Sequence, residues 1–533
     1  MQRIITSLLA VAPLGLAVAS TPAVNAAKNI VFIAVDDLKP ILGCYGDTKV
    51  KTPNIDRLAA RGTVFLTNYC QQAVSGPTRA SLMTGMRPDY TKVWDLKTRM
   101  REVNPGILTL PEYLKNNGYL TAGLGKIFDS RCVDESLDQP SWSIPYFKNA
   151  NSYYSSSTGA PMFGYQHPET KSRMISYQEE LLAKGIAPDK IRDSVLLRIK
   201  PSVENADVPD NAYNDGANAL LAKQLLIDFR KNNQPFFLAV GFTKPHLPFV
   251  APRKYWDLYD RDQLPLAAFR DRAENSPAIA YHTSSELRAY SDIPALITFS
   301  DQKGGIEMNI DKQKELIHGY YAAISYMDAQ VGILLNTIDS LEMNQNTIVV
   351  LWGDHGWHLG DHNLWCKHSN FEQATRAPLI ISSPGMEANR TTSPTEFIDI
   401  FPTLCELNGL EIPSHLQGNS LVEIIKNPKH KVKNYAVSQF PRSVNSQEIN
   451  RLGYAEGSYM GYSLRTERYR YTVWMKDSYR STRPFDPRLV VASELYDYHN
   501  DPDERVNVVD HPNYNKKRIE LQYLMADFFA MQQ

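Results

Sequence analysis

Ile30-Val31-Phe32-Ile33-Ala34-Val35-Asp36-Asp37 is the stretch from which the fold is read. The apolar run is too short for a buried helix and rich in β-branched residues. No polar residue alternates with the apolar ones, as expected of a strand covered on both faces, the setting of a parallel sheet. The run stops at two adjacent carboxylates, which places both at the strand's C-terminal end.

Working outward, the same grammar repeats. Thr52-Pro53 followed by Ile55, Leu58, Ala59 and Gly62 reads as a helix with an N-cap, an N1 proline and a terminal glycine. Thr109 and Glu112 are spaced as a capping box before a helix that ends near Gly118. A helical pattern from Ala217 to Phe229 precedes a strand from Pro235 to Phe242, and a long helix from about Lys312 to Leu341 precedes a strand from Thr347 to Trp352. Ala377 to Ser382 and Tyr435 to Phe440 read as further strands. This alternation predicts an α/β fold, a large mixed sheet flanked by helices. Past about Ser443 short strands such as Tyr469 to Trp474 take over, then an amphipathic helix carrying Ile519, Leu521, Leu524, Phe528 and Phe529. The expected division is therefore a main domain over 27–443 and a smaller antiparallel sheet-plus-helix subdomain over 444–533. From about Ser130 to Pro209 periodicity is poor, which predicts loops and short elements covering a site.

The chain has 533 residues, more than one compact core usually holds, and its 43% hydrophobic and 22% charged residues are ordinary for a globular protein. A formal net charge of −1 gives no global field for nucleic acid or a long polyanion, so an anionic ligand needs a local basic pocket. Arg3, the apolar stretch Ile4 to Ala19 and the small residues Val24-Asn25-Ala26 read as an export signal over 1–26. Its apolar core is short for a bilayer span, so periplasmic or secreted protein without a membrane span is expected. Five scattered cysteines contain no C-x-x-C pair, which argues against zinc and assigns no disulfide.

Ser75-Gly76-Pro77-Thr78-Arg79 leads into Ala80-Ser81-Leu82-Met83-Thr84-Gly85, a short helix closed by glycine. A helix start favours anions through its free N–H groups, and Arg79 sits one turn on. Gly353-Asp354-His355-Gly356 follows the strand ending at Trp352, so two Asp-containing segments stand at strand ends, where α/β sheets build their sites. Their carboxylates are hard oxygen ligands suited to Ca²⁺ or Mg²⁺.

The serine, the proline two later, the arginine four later and the following leucine and glycine resemble the signature of the formylglycine-dependent sulfatases, of the alkaline-phosphatase-like superfamily. The resemblance implies that Ser75 is oxidised to formylglycine by a maturation enzyme. A hydrated aldehyde carries two hydroxyls on one carbon: one attacks sulfur and the other expels sulfate as the carbonyl reforms. It further implies that Asp36, Asp37, Asp354, His355 and residue 75 hold the metal, calcium by family expectation. Histidine in the fourth ligand position points to the iduronate-2-sulfatase branch. Met86-Arg87-Pro88-Asp89, Gly125-Lys126-Ile127-Phe128, Gly241 to His246, Lys367 to Phe371 and Ser438 to Arg442 fit that branch in order, so the resemblance spans nearly all of the mature chain.

From the resemblance, Arg79, Lys126 and Lys367 neutralise the sulfate and His246 protonates the departing oxygen. Lys244 either touches substrate or only decorates a strand end. The family usually has a histidine where this chain has Asp129, and His318, His358, His362 and His368 are the histidines left to replace it. Trp94, Arg99, Trp142, Tyr153, Tyr154 and Arg442 are candidates for contacting a sugar. The leading expectation is a sulfatase acting on a sulfated mono- or oligosaccharide, a 2-O-sulfated uronic acid of a glycosaminoglycan-type glycan. Two alternatives stand beside it: a phosphomonoester or phosphonate hydrolase of the same superfold using unmodified Ser75, and a non-catalytic binder of sulfated glycan.

Overall fold

The computed structural model describes residues 28–148, 164–232, 234–294, 308–446, 449–476 and 485–531. The expected export signal, Tyr153 and Tyr154 lie outside them. Among the described residues no helix is long and apolar enough to cross a membrane.

A seven-stranded sheet organises the main body. Its strands are β1 (Asn29–Val35), β2 (Thr63–Phe65), β3 (Leu120–Gly125), β4 (Phe236–Phe242), β5 (Thr347–Gly353), β6 (Leu379–Ser382) and β7 (Asn389–Thr391). They lie in the order β7-β2-β6-β5-β1-β4-β3. The four strands β3, β4, β1 and β5 run parallel, while β6 pairs antiparallel with both β5 and β2, so the sheet is mixed. Every residue of β1 is buried. Val31, Ile33 and Val35 belong to one apolar cluster and Ile30, Phe32 and Ala34 to another, one on each side of the sheet. That two-sided burial is why the run shows no alternation.

The register aligns the C-terminal ends of the parallel strands. Val35 of β1 stands level with Phe242 of β4 and with Gly353 of β5, and Gly125 of β3 with Gly241 of β4. The segments leaving these four ends are Asp36-Asp37, Lys126, Thr243 to His246 and Asp354-His355. Gly125 has φ +72°, and a Cβ there would strike the Gly241 carbonyl, while a Cβ on Gly241 would strike the Lys126 backbone. Glycine at both positions lets the two strand ends cross closely and turns Lys126 into the site.

Helices cover both faces: α1 (Pro53–Ala59), α2 (Ser75–Thr84), α3 (Leu110–Asn116), α4 (Pro168–Ala183), α5 (Pro188–Arg198), α6 (Asn214–Arg230), α7 (Ser285–Arg288) and α8 (Ile310–Ser340). Thr109 caps α3 by accepting from Glu112 N–H at 3.3 Å. The stretch expected to be loops contains α4 and α5. Only Met174 and Leu181 of α4 and Ile191 and Val195 of α5 are buried, too thin a stripe to register as a period.

Four antiparallel strands follow: β8 (Ala436–Val444), β9 (Gly457–Arg465), β10 (Tyr469–Lys476) and β11 (Val490–Asp497). The first begins ahead of the 443/444 division. Helix α9 (Asn515–Met531) packs on this sheet through Leu521, Met525 and Phe528. Ile519, expected on that face, is instead exposed. Asp89 fastens the sheet to the main body, accepting from Trp94 Nε1 at 2.8 Å, Gln439 Nε2 at 2.8 Å and the Tyr462 hydroxyl at 2.7 Å. All five cysteines are buried and free.

Candidate active site

Ser75 opens α2 as its first residue, after Val74 in extended conformation, and Gly85 closes it in the left-handed region at φ 66°. The whole helix is buried, so its first turn faces the strand ends. Ser75 Oγ donates to Asp36 Oδ1 at 3.1 Å and lies 3.5 Å from His355 Nε2. Arg79, one turn on, donates from Nη2 to Asp36 Oδ1 at 3.0 Å and from Nε to Asp354 Oδ2 at 3.1 Å. Its Nη1 reaches the carbonyls of Lys126 and Ile127, and its guanidinium lies over Trp352. Arg79 is fully buried, and a fixed planar fork of donors suits such a bridge between strand ends.

Three carboxylates and one imidazole converge beside Ser75. Candidate ligand atoms of Asp37, Asp354 and His355 all lie within 4.8 Å of one another, and those of Asp36, Asp37 and His246 do likewise. Asp36, Asp37, Asp354 and His355 are completely buried. Burial works against ionising Asp36, but the charges of Lys126, His246 and Arg79 outweigh it and hold its carboxyl well below the usual range. Asp37 goes the other way: burial, helped by the charge of Asp36, raises it despite His246 and Lys367. A buried carboxylate left under-compensated among hard oxygen donors is a fit for a divalent cation. The donor set Asp36, Asp37, Asp354 and His355, with residue 75 beside it, thus suits Ca²⁺ or Mg²⁺.

A second ring of side chains is basic. Lys126 pairs with Asp36 Oδ2. Lys367 Nζ donates to both oxygens of Asp37 at 3.0 Å. Burial disfavours its charge, yet Asp37 and Glu286 raise its pKa, so it stays an ammonium. His246 Nε2 is 3.6 Å from Asp37 Oδ2, and its Nδ1 is 2.6 Å from the Leu247 carbonyl. A carbonyl only accepts, so Nδ1 carries a proton and Nε2 is the nitrogen turned toward the cavity. Lys126, His246 and Lys367 line one cavity of about 960 Å³, with Ser75 in its wall. That volume admits a sugar unit and a neighbour.

The remaining candidates separate. Lys244 is buried and donates to the His246 and Pro248 carbonyls, so it shapes the loop that presents His246. Burial lowers its pKa to about 8. Asp129 is buried and held by Arg131, whose Nε and Nη2 donate to its two oxygens at 2.8 and 2.7 Å. Of the four histidines considered in its stead, His368 lines the cavity. His318 bonds to the Trp256 carbonyl, His358 to Ser369, and His362 stacks on Phe371. Among the described residues, the aromatics and arginines that are candidates for contacting a sugar have other partners. Trp94 bonds Asp89, Trp142 is buried in the apolar core, Arg99 pairs with Glu102, and Arg442 donates to the carbonyls of Ile279, Ala280 and His368. Arg131, Lys148 and Glu286 line the cavity without any local sequence signal.

Comparisons with known proteins find relatives along nearly the whole chain. The sulfatase family model matches residues 28–410, and a model of the C-terminal part of N-sulphoglucosamine sulphohydrolase matches residues 360–530. Iduronate 2-sulfatase of Mus musculus is 34% identical over 92% of this chain and 91% of its own length. Among solved structures, BT1596, a 2-O GAG sulfatase, superimposes with a TM-score of 0.61 at 21% identity, covering 95% of this chain and 92% of its own. The phosphonate monoester hydrolase of Agrobacterium radiobacter does so with a TM-score of 0.66 at 22% identity, covering 95% and 96%. At those identities the two structures share the fold.

Proposed function

The chain belongs to the sulfatase family and is a sulfuric ester hydrolase, and on that premise we propose that it removes sulfate from a 2-O-sulfated uronic acid of a glycosaminoglycan-type glycan, with Ser75 oxidised to formylglycine. The observation that carries this reading is the placing of Ser75 between the buried carboxylate cluster and the basic ring of Lys126, His246 and Lys367. The named activities of the mouse relative and of BT1596 support the choice of ester position.

Formylglycine at residue 75 supplies, once hydrated, one hydroxyl to take the sulfuryl group and a second to release it. Asp36, Asp37, Asp354, His355 and residue 75 would hold a divalent cation, which would supply a fixed positive charge there. The chain's own side chains do the rest. Arg79 fixes the carboxylates of Asp36 and Asp354 and so the position of residue 75. Lys126 and Lys367 face the sulfate oxygens and offset the charge that builds on them. His246 Nε2 gives its proton to the sugar oxygen as the S–O bond breaks, while Nδ1 stays bonded to the Leu247 carbonyl.

Export through the segment 1–26, to the periplasm or outside the cell, and encounter with a formylglycine-generating enzyme belong to the same proposal. Incubating protein from a host that oxidises the serine with a 2-sulfated uronide should release inorganic sulfate. Release only from hexosamine 6-sulfates would remove the uronide from the reading.

A further inference from the structure

Among the carboxylates that line the cavity, Glu286 is the one set directly against the basic pair Lys367 and His246. It projects from α7, its side chain 22% exposed, and lines the cavity. Oε1 lies 3.0 Å from Lys367 Nζ and 3.1 Å from His246 Nε2, and Oε2 lies 3.9 Å from His368 Nε2. Burial opposes its ionisation, but Lys367 and His246 outweigh burial, so it faces the cavity as an anion. For gripping a sulfate, such a group is a liability.

A carboxylate is useful at that point for recognising a hydroxyl. When the ester oxygen of a sugar sulfate sits at His246 Nε2, the substituent on the adjacent ring carbon is one hydrogen-bond length away. Oε1 shares that same nitrogen, so the substituent is within its reach. An ionised carboxylate only accepts hydrogen bonds. A free hydroxyl there has a partner. A sulfate on the same carbon meets like charge and offers no donor.

We propose that Glu286 is a specificity-determining residue, selecting sugar sulfates with a free hydroxyl on the carbon beside the ester and rejecting those sulfated there. This rests on reading the cavity as a sugar-sulfate site. It also places the reaction in a sequence: on a ring sulfated at neighbouring carbons, a sulfatase for the neighbouring ester must act first.

The test compares kcat/KM on three 2-sulfated uronides that differ only at C3, bearing hydroxyl, hydrogen or sulfate, for the wild type and for E286Q and E286L. Damage to Lys367 or His246 scales all three rates alike, so the ratios isolate recognition at C3. The wild type should prefer the hydroxyl over the deoxy substrate by about tenfold or more, and should scarcely turn over the 3-sulfate. Both ratios should shrink in E286L, whereas E286Q, whose amide carbonyl still accepts from a hydroxyl, should chiefly lose the exclusion of the sulfate. Ratios unchanged by substitution overturn the proposal, and so does a wild type that cleaves the hydroxyl and sulfate substrates equally well, before any variant is made. If 2-sulfated uronides are inert but another sugar sulfate is cleaved, the uronide reading falls alone, and the same three-way comparison on that sugar decides the role of Glu286.

Discussion

Asp36 and Arg79, on different elements, share one completely buried ion pair, Oδ1 to Nη2 at 3.0 Å, and Ser75 Oγ donates to that same carboxylate oxygen at 3.1 Å. The position of Ser75 is therefore set by the pair of elements that also supply the cluster's first carboxylate and its arginine. A buried charge left without its partner is costly, commonly about 3–5 kcal/mol. Arg79→Met should accordingly lose most activity and also lower the unfolding midpoint. Denaturant melting of the purified variant checks this, and full stability with lost activity would contradict the structural half.

His246 is assigned to the leaving oxygen. A general acid matters only where the leaving group needs a proton, and contributes about 10²–10⁴ in rate. His246→Ala should lose that factor on a sugar sulfate and far less on 4-nitrophenyl sulfate, whose phenolate leaves unaided. Equal losses on both substrates would remove the acid role.

Divalent-cation binding should appear as stability. Asp36, Asp37 and Asp354 are buried together, and a cation that binds only the folded protein adds about 2.7 kcal/mol at a hundredfold excess over its Kd. Chelation should lower the unfolding midpoint, calcium or magnesium should restore it, and Asp37→Asn should blunt the response. An identical midpoint with and without chelator would count against the site.

How far the sequence alone reaches is visible in particular residues. Asp36-Asp37 and the Ser75–Gly85 segment were legible because each signal is local: a run that stops, a helix that starts and is closed by glycine. Helices α4 and α5 were not, because each buries so few residues that its period is lost among polar ones. Glu286 was invisible for a different reason. Its meaning lies in contact with Lys367, 81 positions away, and no spacing rule connects them. Arg442 is likewise held by a remote partner, the His368 carbonyl 74 positions away, whereas Trp94 bonds Asp89 only five positions before it.

Acid should weaken the fold through its buried histidines. Burial lowers His358 to a pKa of about 3 and His362 to about 4, against 6.5 in the unfolded chain. Between those values the unfolded state takes up protons that the folded state refuses, so the stability each contributes is complete above pH 6.5 and lost as pH falls below it. Each site adds a slope of about 1.4 kcal/mol per pH unit. Glu504, raised by burial to about 7, works the other way, gaining stability as pH falls from 7. The clean comparison is His358→Gln, whose stability-against-pH curve should be shallower than the wild type's by one site's slope between pH 6.5 and 5. Parallel curves would refute the assignment.

The most direct measurement is the mass of the peptide containing residue 75 in protein that is turning over sugar sulfate. The account predicts that this residue is two hydrogen atoms lighter than serine in the active fraction, and that Ser75→Ala has no turnover. Active enzyme with an intact serine, preferring an aryl phosphate to the matching aryl sulfate, would contradict it.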